Sequence, residues 1–303
     1  MIPGSEQVKR RNNDRGPGYM ASRQGRWPTR MGKWFPGQRV VFRGRDLHRD
    51  LHRLSWVELY LYGITGRRFA EDQVRLLNAV WTYTSYPDPR LWNNRVAALG
   101  GTARTTGNLA VSAALAASEA RIFGRGPDVR VSDFFHRADQ RLARGEALAD
   151  IIAGELRARR SIAGYGRPVT RFDERIHHMM ELLAELGCDR RRFVRLAFDV
   201  EAELVSRKPH LRMNYGALAA AVGADLGLST REYYAFVYPA FLAGMWPCYQ
   251  EALAAPEGSF FPSRCDSIAY RGPEKRDWPG VTGRADASSA DHRDVAGKGS
   301  HTS

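Results

Sequence analysis

Apolar residues recur at intervals of three and four along most of this chain, with charged residues between them, which predicts helices rather than strands. Val74, Leu77 and Trp81, widened by Leu76 and Val80, form one such stripe, and Pro87 and Pro89 close it. Ser55-Trp-Val-Glu58 has the spacing of a capping box and opens a helix through Tyr62. A run rich in Ala and Ser from Gly107 to Phe123, with Gly124 as its C-cap, predicts a buried helix that a neighbouring backbone can approach closely. A basic, less apolar stretch follows, then a helix from about Glu146 to Arg159 and a loop at Gly164-Tyr-Gly-Arg-Pro168. Asp173 to Leu186 is amphipathic and stops at Gly187, and Asp189 is placed to cap a helix reaching about Ser206. Asn214 stands just before the small-residue helix Tyr215 to Asp225. Ser229-Thr-Arg-Glu232 is a second capping box, opening a long aromatic helix towards Leu253 that Pro247 should kink.

Almost nothing alternates with period two. Gln38 to Phe42 is the one extended segment, ending at Gly44, so the fold class is all-α. With 303 residues, 43% hydrophobic and 26% charged, the chain can bury one large core or two modest ones. No stretch approaches the roughly 18 consecutive apolar residues of a membrane span. Leu109 to Ala117 comes nearest, interrupted by Ser112 and ended by Ser118-Glu119. The charged start of the chain carries no apolar signal region, which predicts a cytoplasmic protein. Cys188, Cys248 and Cys265 are far apart and odd in number, which suits reduced, structural thiols. His48 and His52 would share a helical face but lack a third ligand, so no metal site is expected, and of His177-His178 one is read as surface and one as core.

A net charge of +13 raises the question of nucleic acid. From Lys9 to Arg53 there are thirteen basic residues against Asp14, Asp46 and Asp50. Residues 1–35 read as a basic disordered arm and residues 279–303 as a disordered tail. A solvated arm is the plainer reading than a nucleic-acid site, and a CoA thioester or polycarboxylate would also favour a basic surface. Gly164-Tyr-Gly166 lacks the third glycine, preceding strand and downstream acid of a dinucleotide fingerprint, and neither a Walker loop nor a nucleophile-elbow serine occurs.

Several segments, taken in order, resemble the citrate synthase family and its citryl-CoA lyase relatives. They are Val41-Phe-Arg-Gly44 with Asp46-Leu47, Glu58 to Gly66, Asn94 to Ala120, and Gly164-Tyr-Gly-Arg-Pro168 with Asp173-Glu-Arg175. Lys208 to Asn214, Ala243-Gly-Met-Trp246 and Ile268-Ala-Tyr-Arg-Gly272, the last resembling an arginine-bearing strand, continue the series. The resemblance implies a large helical domain (36–128 and 223–278) and a smaller one (129–222) over a cleft, in a homodimer. It implies an acyltransferase that uses acyl-CoA as substrate, converts the acyl group to alkyl on transfer, and holds no permanent cofactor. In that family an aspartate deprotonates the acyl-CoA, two histidines act on the oxygens that gain charge, and arginines hold the carboxylates of the acceptor.

This sequence departs at each catalytic place. No histidine stands near Phe123-Gly-Arg125, the second histidine is Arg167, and the aspartate is Asn214. Arg167 reads either as a substrate donor or as a cap for a helix C-terminus, and Asn214 either as a catalytic amide or as an N-cap. Arg175 matches a carboxylate-binding arginine, Arg264 is a candidate for the last one, and Arg125 could meet a CoA phosphate or a helix C-terminus. Three functions follow: a divergent acyl-CoA enzyme forming or cleaving a C–C bond on a 2-oxo or polycarboxylic acid; an inactive relative that binds a CoA ester or carboxylate, or pairs with an active homologue; and a nucleic-acid binder using the arm.

Overall fold

Helix starts in this chain are set by first-turn chemistry, and the computed structural model, which describes residues 16–25, 28–167, 172–259, 264–274 and 276, shows where that chemistry is local. The order is α1 (Pro17–Arg23), β1 (Gly32–Phe35), β2 (Arg39–Phe42), β3 (Arg45–Asp46), α2 (Trp56–Thr65), α3 (Glu71–Thr84), α4 (Trp92–Thr102) and α5 (Gly107–Ala117). Then come α6 (Arg125–Leu142), α7 (Leu148–Arg159), α8 (Glu174–Glu185), α9 (Arg192–Arg207), α10 (Tyr215–Asp225), α11 (Thr230–Val237) and α12 (Leu242–Ala254). Both expected capping boxes form, Ser55 with Glu58 at α2 and Ser229 with Glu232 at α11. The fold is all-α with one small sheet. The chain divides into two compact units, 1–260 and 261–303.

The core of the first unit is built round α10, whose residues from Ala217 to Ala224 are all buried. A helix buried on every side needs small residues facing its neighbours, and here α3, α6, α8, α9 and α11 pack against it. A second group joins α4, α5 and α12 through Ala97, Ala110, Ala114, Met245 and Tyr249.

Four expectations are corrected. The helix from Gly107 stops at Ala117, and Gly124 (φ 65°) is not its C-cap but the N-cap of α6. The basic stretch after it is the 18-residue α6, amphipathic through Val131, Phe134, Phe135 and Ala138. Asp189 does not cap α9: the amides of Phe193 and Val194 donate to the Asp225 carboxylate at 2.8 and 2.9 Å, a cap supplied from the end of α10. The aromatic helix breaks between Val237 and Leu242, at Pro239, while Pro247 sits inside α12 without ending it. Proline cannot donate to the carbonyl four residues back, and the Tyr60 hydroxyl donates to that carbonyl, Ala235 O, at 2.8 Å. Trp81 Nε1 serves Phe236 O (2.9 Å), Arg125 serves Tyr238 O (2.9 Å) and Ser85 Oγ serves Ala240 O (2.9 Å). The break is thereby satisfied by side chains from three other helices and the turn after α3.

The arm is also shorter than expected. Residues 17–23 form α1, and β1 pairs antiparallel with β2, Gly32 facing Phe42 and Phe35 facing Arg39. Arg43 (φ 47°) and Gly44 (φ 80°) make the two-residue turn to β3. Residues 1–15 and 277–303, where the rest of the arm and the tail were expected, lie outside the described residues. His177 and His178 both lie at the surface beside Glu181, so neither is a core residue. Cys188 and Cys248 are buried free thiols. In the second unit, Cys265–Ser267 is a 3-10 turn and residues 268–272 are irregular instead of the expected strand.

Candidate functional site

The loop 164–166 and the start of α10 meet through backbone chemistry that only this local sequence allows. Gly164 (φ 86°) and Gly166 (φ 89°) adopt left-handed backbone, and a side chain on Gly164 would press into Ala217. Tyr165 bridges to Met213, Asn214 N donates to Gly164 O (2.8 Å), and the Tyr165 hydroxyl donates to Ala197 O (2.8 Å). Asn214 is the N-cap of α10: its Oδ1 accepts from Gly216 N (3.0 Å), while Nδ2 donates to Gly166 O (3.2 Å). One end of the amide therefore caps the helix and the other ties it to the loop.

Asp173 organises the facing corner. It is the N-cap of α8, takes Arg175 Nε and Nη2 at 2.8 and 2.7 Å, and accepts from Tyr215 N at 2.9 Å. Burial pushes its carboxyl up, but Arg175 and the Tyr215 amide outweigh that, and the net shift is downward. The Arg175 guanidinium lies between the Tyr86 and Tyr215 rings, 5.2 and 4.9 Å from their centroids. Arg167 donates to Glu174 at 2.6 Å, and Glu174 also accepts from the Tyr86 hydroxyl at 2.6 Å. These bonds, that of Arg167 first, hold the Glu174 carboxyl down at about 2. The Tyr86 hydroxyl is raised to about 12, by burial first and then by Glu174. Arg167 thus meets the first turn of a helix and not the C-terminus that its capping alternative required.

Between these groups is a cavity of about 470 Å³, and Arg167, Arg175 and Asn214 all line it. Residues far apart in sequence, at 167, 175 and 214, are brought to one place. Phe123, Gly124 and Asp128 close it from the start of α6. Burial pushes the half-buried Asp128 carboxyl up to about 7 against the pull of Arg175 and Arg125. Tyr215 is fully buried on the same wall, and among the described residues its hydroxyl has no hydrogen-bond partner. A second cavity, of about 780 Å³, shares Ile122 with the first and is lined by Arg121, Arg130, Arg159 and Arg160 against the single acid Glu155.

One expected site residue of the first unit, Arg125, does not line this cavity. Arg125 is 1% exposed, bonds Leu115 O, Glu119 and Tyr238 O, and stacks on the Tyr238 ring at 4.5 Å; its contacts are those of a structural residue. Arg264 belongs to the second unit, where it pairs with Asp266 at 2.7 Å and is exposed. Sequence reading missed Asp128, Tyr215 and the four-arginine cavity. The signal for Asp128 was the helical spacing of Val131, Phe134 and Ala138, which makes it a first-turn acid directly after Phe123-Gly124.

No family model matches the sequence, and no curated protein matches it. Solved structures do resemble it. Citryl-CoA lyase from Hydrogenobacter thermophilus superposes with a TM-score of 0.72 at 20% identity, over 84% of this chain and 97% of that one. ATP citrate lyase from Methanothrix soehngenii, in complex with citrate and coenzyme A, gives 0.66 at 16% identity over 91% of this chain and 45% of that one. Citrate synthase from Thermotoga maritima gives 0.58 at 20% identity, over 77% of this chain and 62% of that one. The chain has the fold of the citrate synthase superfamily. Among the described residues, no helix is long and apolar enough to cross a membrane.

Proposed function

We propose that this protein is an acyl-CoA-dependent enzyme that forms or cleaves a carbon–carbon bond on a small 2-oxo or polycarboxylic acid. The observation that carries this reading is the pair of adjoining cavities. One gathers Arg167, Arg175 and Asn214, and the other presents four arginines. A CoA ester has a polyanionic end and a neutral reacting end, which suits a strongly basic cavity opening beside a smaller, mixed one. In this reading Arg175 holds a carboxylate of the acceptor. Its Nε and Nη2 serve Asp173, and Nη1, which has no partner among the described residues, is directed to the ligand. Arg167 donates to the oxygen that becomes negative. Asn214 keeps the loop and α10 in register. The four-arginine cavity takes over the phosphate-binding role first considered for Arg125.

The finer features of the fold family are part of the same proposal: residues 129–222 as a smaller domain over the cleft, a cytoplasmic location, and a homodimer. Leu99, Leu109, Trp246 and Leu253, large exposed apolar residues on the α4–α5–α12 group, support pairing of two copies there.

A binding-only reading has its own support, since Asp173 and Glu174 already partner the two arginines and Asn214 cannot act as a base. The test follows a panel of acyl-CoAs by mass spectrometry, acetyl-CoA with oxaloacetate first, each with and without the 2-oxo acid, for the coupled 3-hydroxyacyl-CoA and for the acid and free thiol that water releases from it. A coupled product, as thioester or as free acid, that needs both substrates supports the enzyme. Tight binding of CoA esters with no turnover across the panel supports the binder.

A further inference from the structure

Two carboxylates line the smaller cavity, and they differ in kind. Asp173 is saturated by Arg175 and the Tyr215 amide. Asp128 has, among the described residues, no hydrogen bond or ion pair to its carboxylate. It stands in the first turn of α6, which buried Arg125 opens, and its Oδ1 lies beside the first turn of α10 at Gly216. A methyl on Gly216 would sit 2.9 Å from Asp128 Oδ1 and 3.2 Å from Asn214 Oδ1, so the glycine leaves both side chains room at one point. The charges of Arg175 and Arg125 both act on the carboxylate, and the buried Tyr233 lies close enough to feel its charge.

We propose that Asp128 is the proton-transferring group of this cavity, in place of the aspartate replaced by Asn214. The proposal rests on the acyl-CoA reading above. Asp128 takes a proton from the carbon beside the thioester carbonyl, and the C–H electron pair moves into that carbonyl as an enolate. The enolate carbon bonds to the ketone carbon of the acceptor, whose π pair moves onto its oxygen. That oxygen takes the proton back from Asp128 and becomes a hydroxyl. The carboxylate is regenerated, and the product is a 3-hydroxyacyl-CoA; the reverse sequence cleaves it. No oxidant, reductant or water is consumed. A carboxyl that titrates at about 7 is present in both forms near neutral pH, as a group that first accepts and then returns a proton requires.

The experiment follows deuterium entering the acyl carbon of acetyl-CoA in D2O by mass spectrometry, with and without 2-oxo acids, while equilibrium dialysis measures acetyl-CoA affinity. The wild type should exchange, and Asp128→Asn should exchange about 100-fold more slowly or worse with affinity unchanged. The wild-type rate should rise with pH through about 7 as one ionisation, a readout independent of how the variant folds. Exchange at the wild-type rate in Asp128→Asn, or a rate flat across that range, overturns the proposal. Binding without exchange by the wild type overturns it and leaves the CoA-ester reading standing. No binding overturns both.

Discussion

Asp173 caps α8, grips Arg175 through two hydrogen bonds and meets the first amide of α10, so one nearly inaccessible carboxylate fixes three pieces of the cavity. Removing one partner of a buried ion pair leaves the other uncompensated. Asp173→Ala should therefore cost roughly 3 kcal/mol in urea unfolding and weaken carboxylate binding, whereas Arg264→Ala, at an exposed pair, should leave stability within about 0.5 kcal/mol. Asp128 acts in the opposite sense. Its carboxyl is raised, so between the ordinary carboxylate range and about 7 the folded chain keeps a proton that the unfolded chain has lost. Stability contributed at this site falls as pH rises through that window. Asp128→Asn removes the slope, and the urea midpoint of the variant relative to wild type should climb from pH 4.5 to pH 7.5. A constant difference would mean that Asp128 titrates as an ordinary carboxyl. Asn214 and Arg175 could be read from sequence because their partners lie close by in the chain, at Gly216 and Asp173. For Asp128 only its place in a first turn is written in the sequence; its raised carboxyl is not, because that environment is set by burial, by Arg175 and by the approach of α10.

The helices themselves were legible wherever their ends are local. The capping boxes at Ser55 and Ser229 and the N-cap at Asn214 form as read, and Asp173, where the amphipathic stretch was seen to begin, caps α8. Ends supplied from elsewhere in the fold were not. The start of α9 depends on Asp225, and the break at Pro239 depends on Tyr60, Trp81, Ser85 and Arg125. This gives Arg125 a measurable structural role. Arg125→Ala should lower stability by roughly 3 kcal/mol, the scale of losing a buried charged donor and its bonds, and Tyr60→Phe by about 1 kcal/mol for one neutral bond. If Arg125→Ala leaves the melting temperature unchanged but weakens CoA binding, the residue serves the ligand after all. Gly216 couples element to site. Alanine there is favoured by helix propensity at about 1 kcal/mol yet pushes on Asp128 Oδ1, so Gly216→Ala should keep its fold and slow deuterium exchange.

At the scale of the whole molecule, the composition marked a basic chain without saying where the charge acts, because arginines at 121, 130, 159 and 160 become one surface only when α6, the segment leading into it and the end of α7 come together. The all-α class and the order of the segments resembling citrate synthase could be read directly; the adjoining of two cavities at Ile122 could not. That adjoining predicts a division of labour between the ends of a CoA ester. Arg121→Glu and Arg160→Glu together should weaken acetyl-CoA at least tenfold, about 1.4 kcal/mol, and flatten the dependence of its affinity on salt. The same pair should leave the affinity for acetyl-pantetheine, which lacks the nucleotide phosphates, within twofold. Equal losses for both ligands would place the polyanionic end elsewhere, and the larger cavity would then have no part in binding the CoA ester.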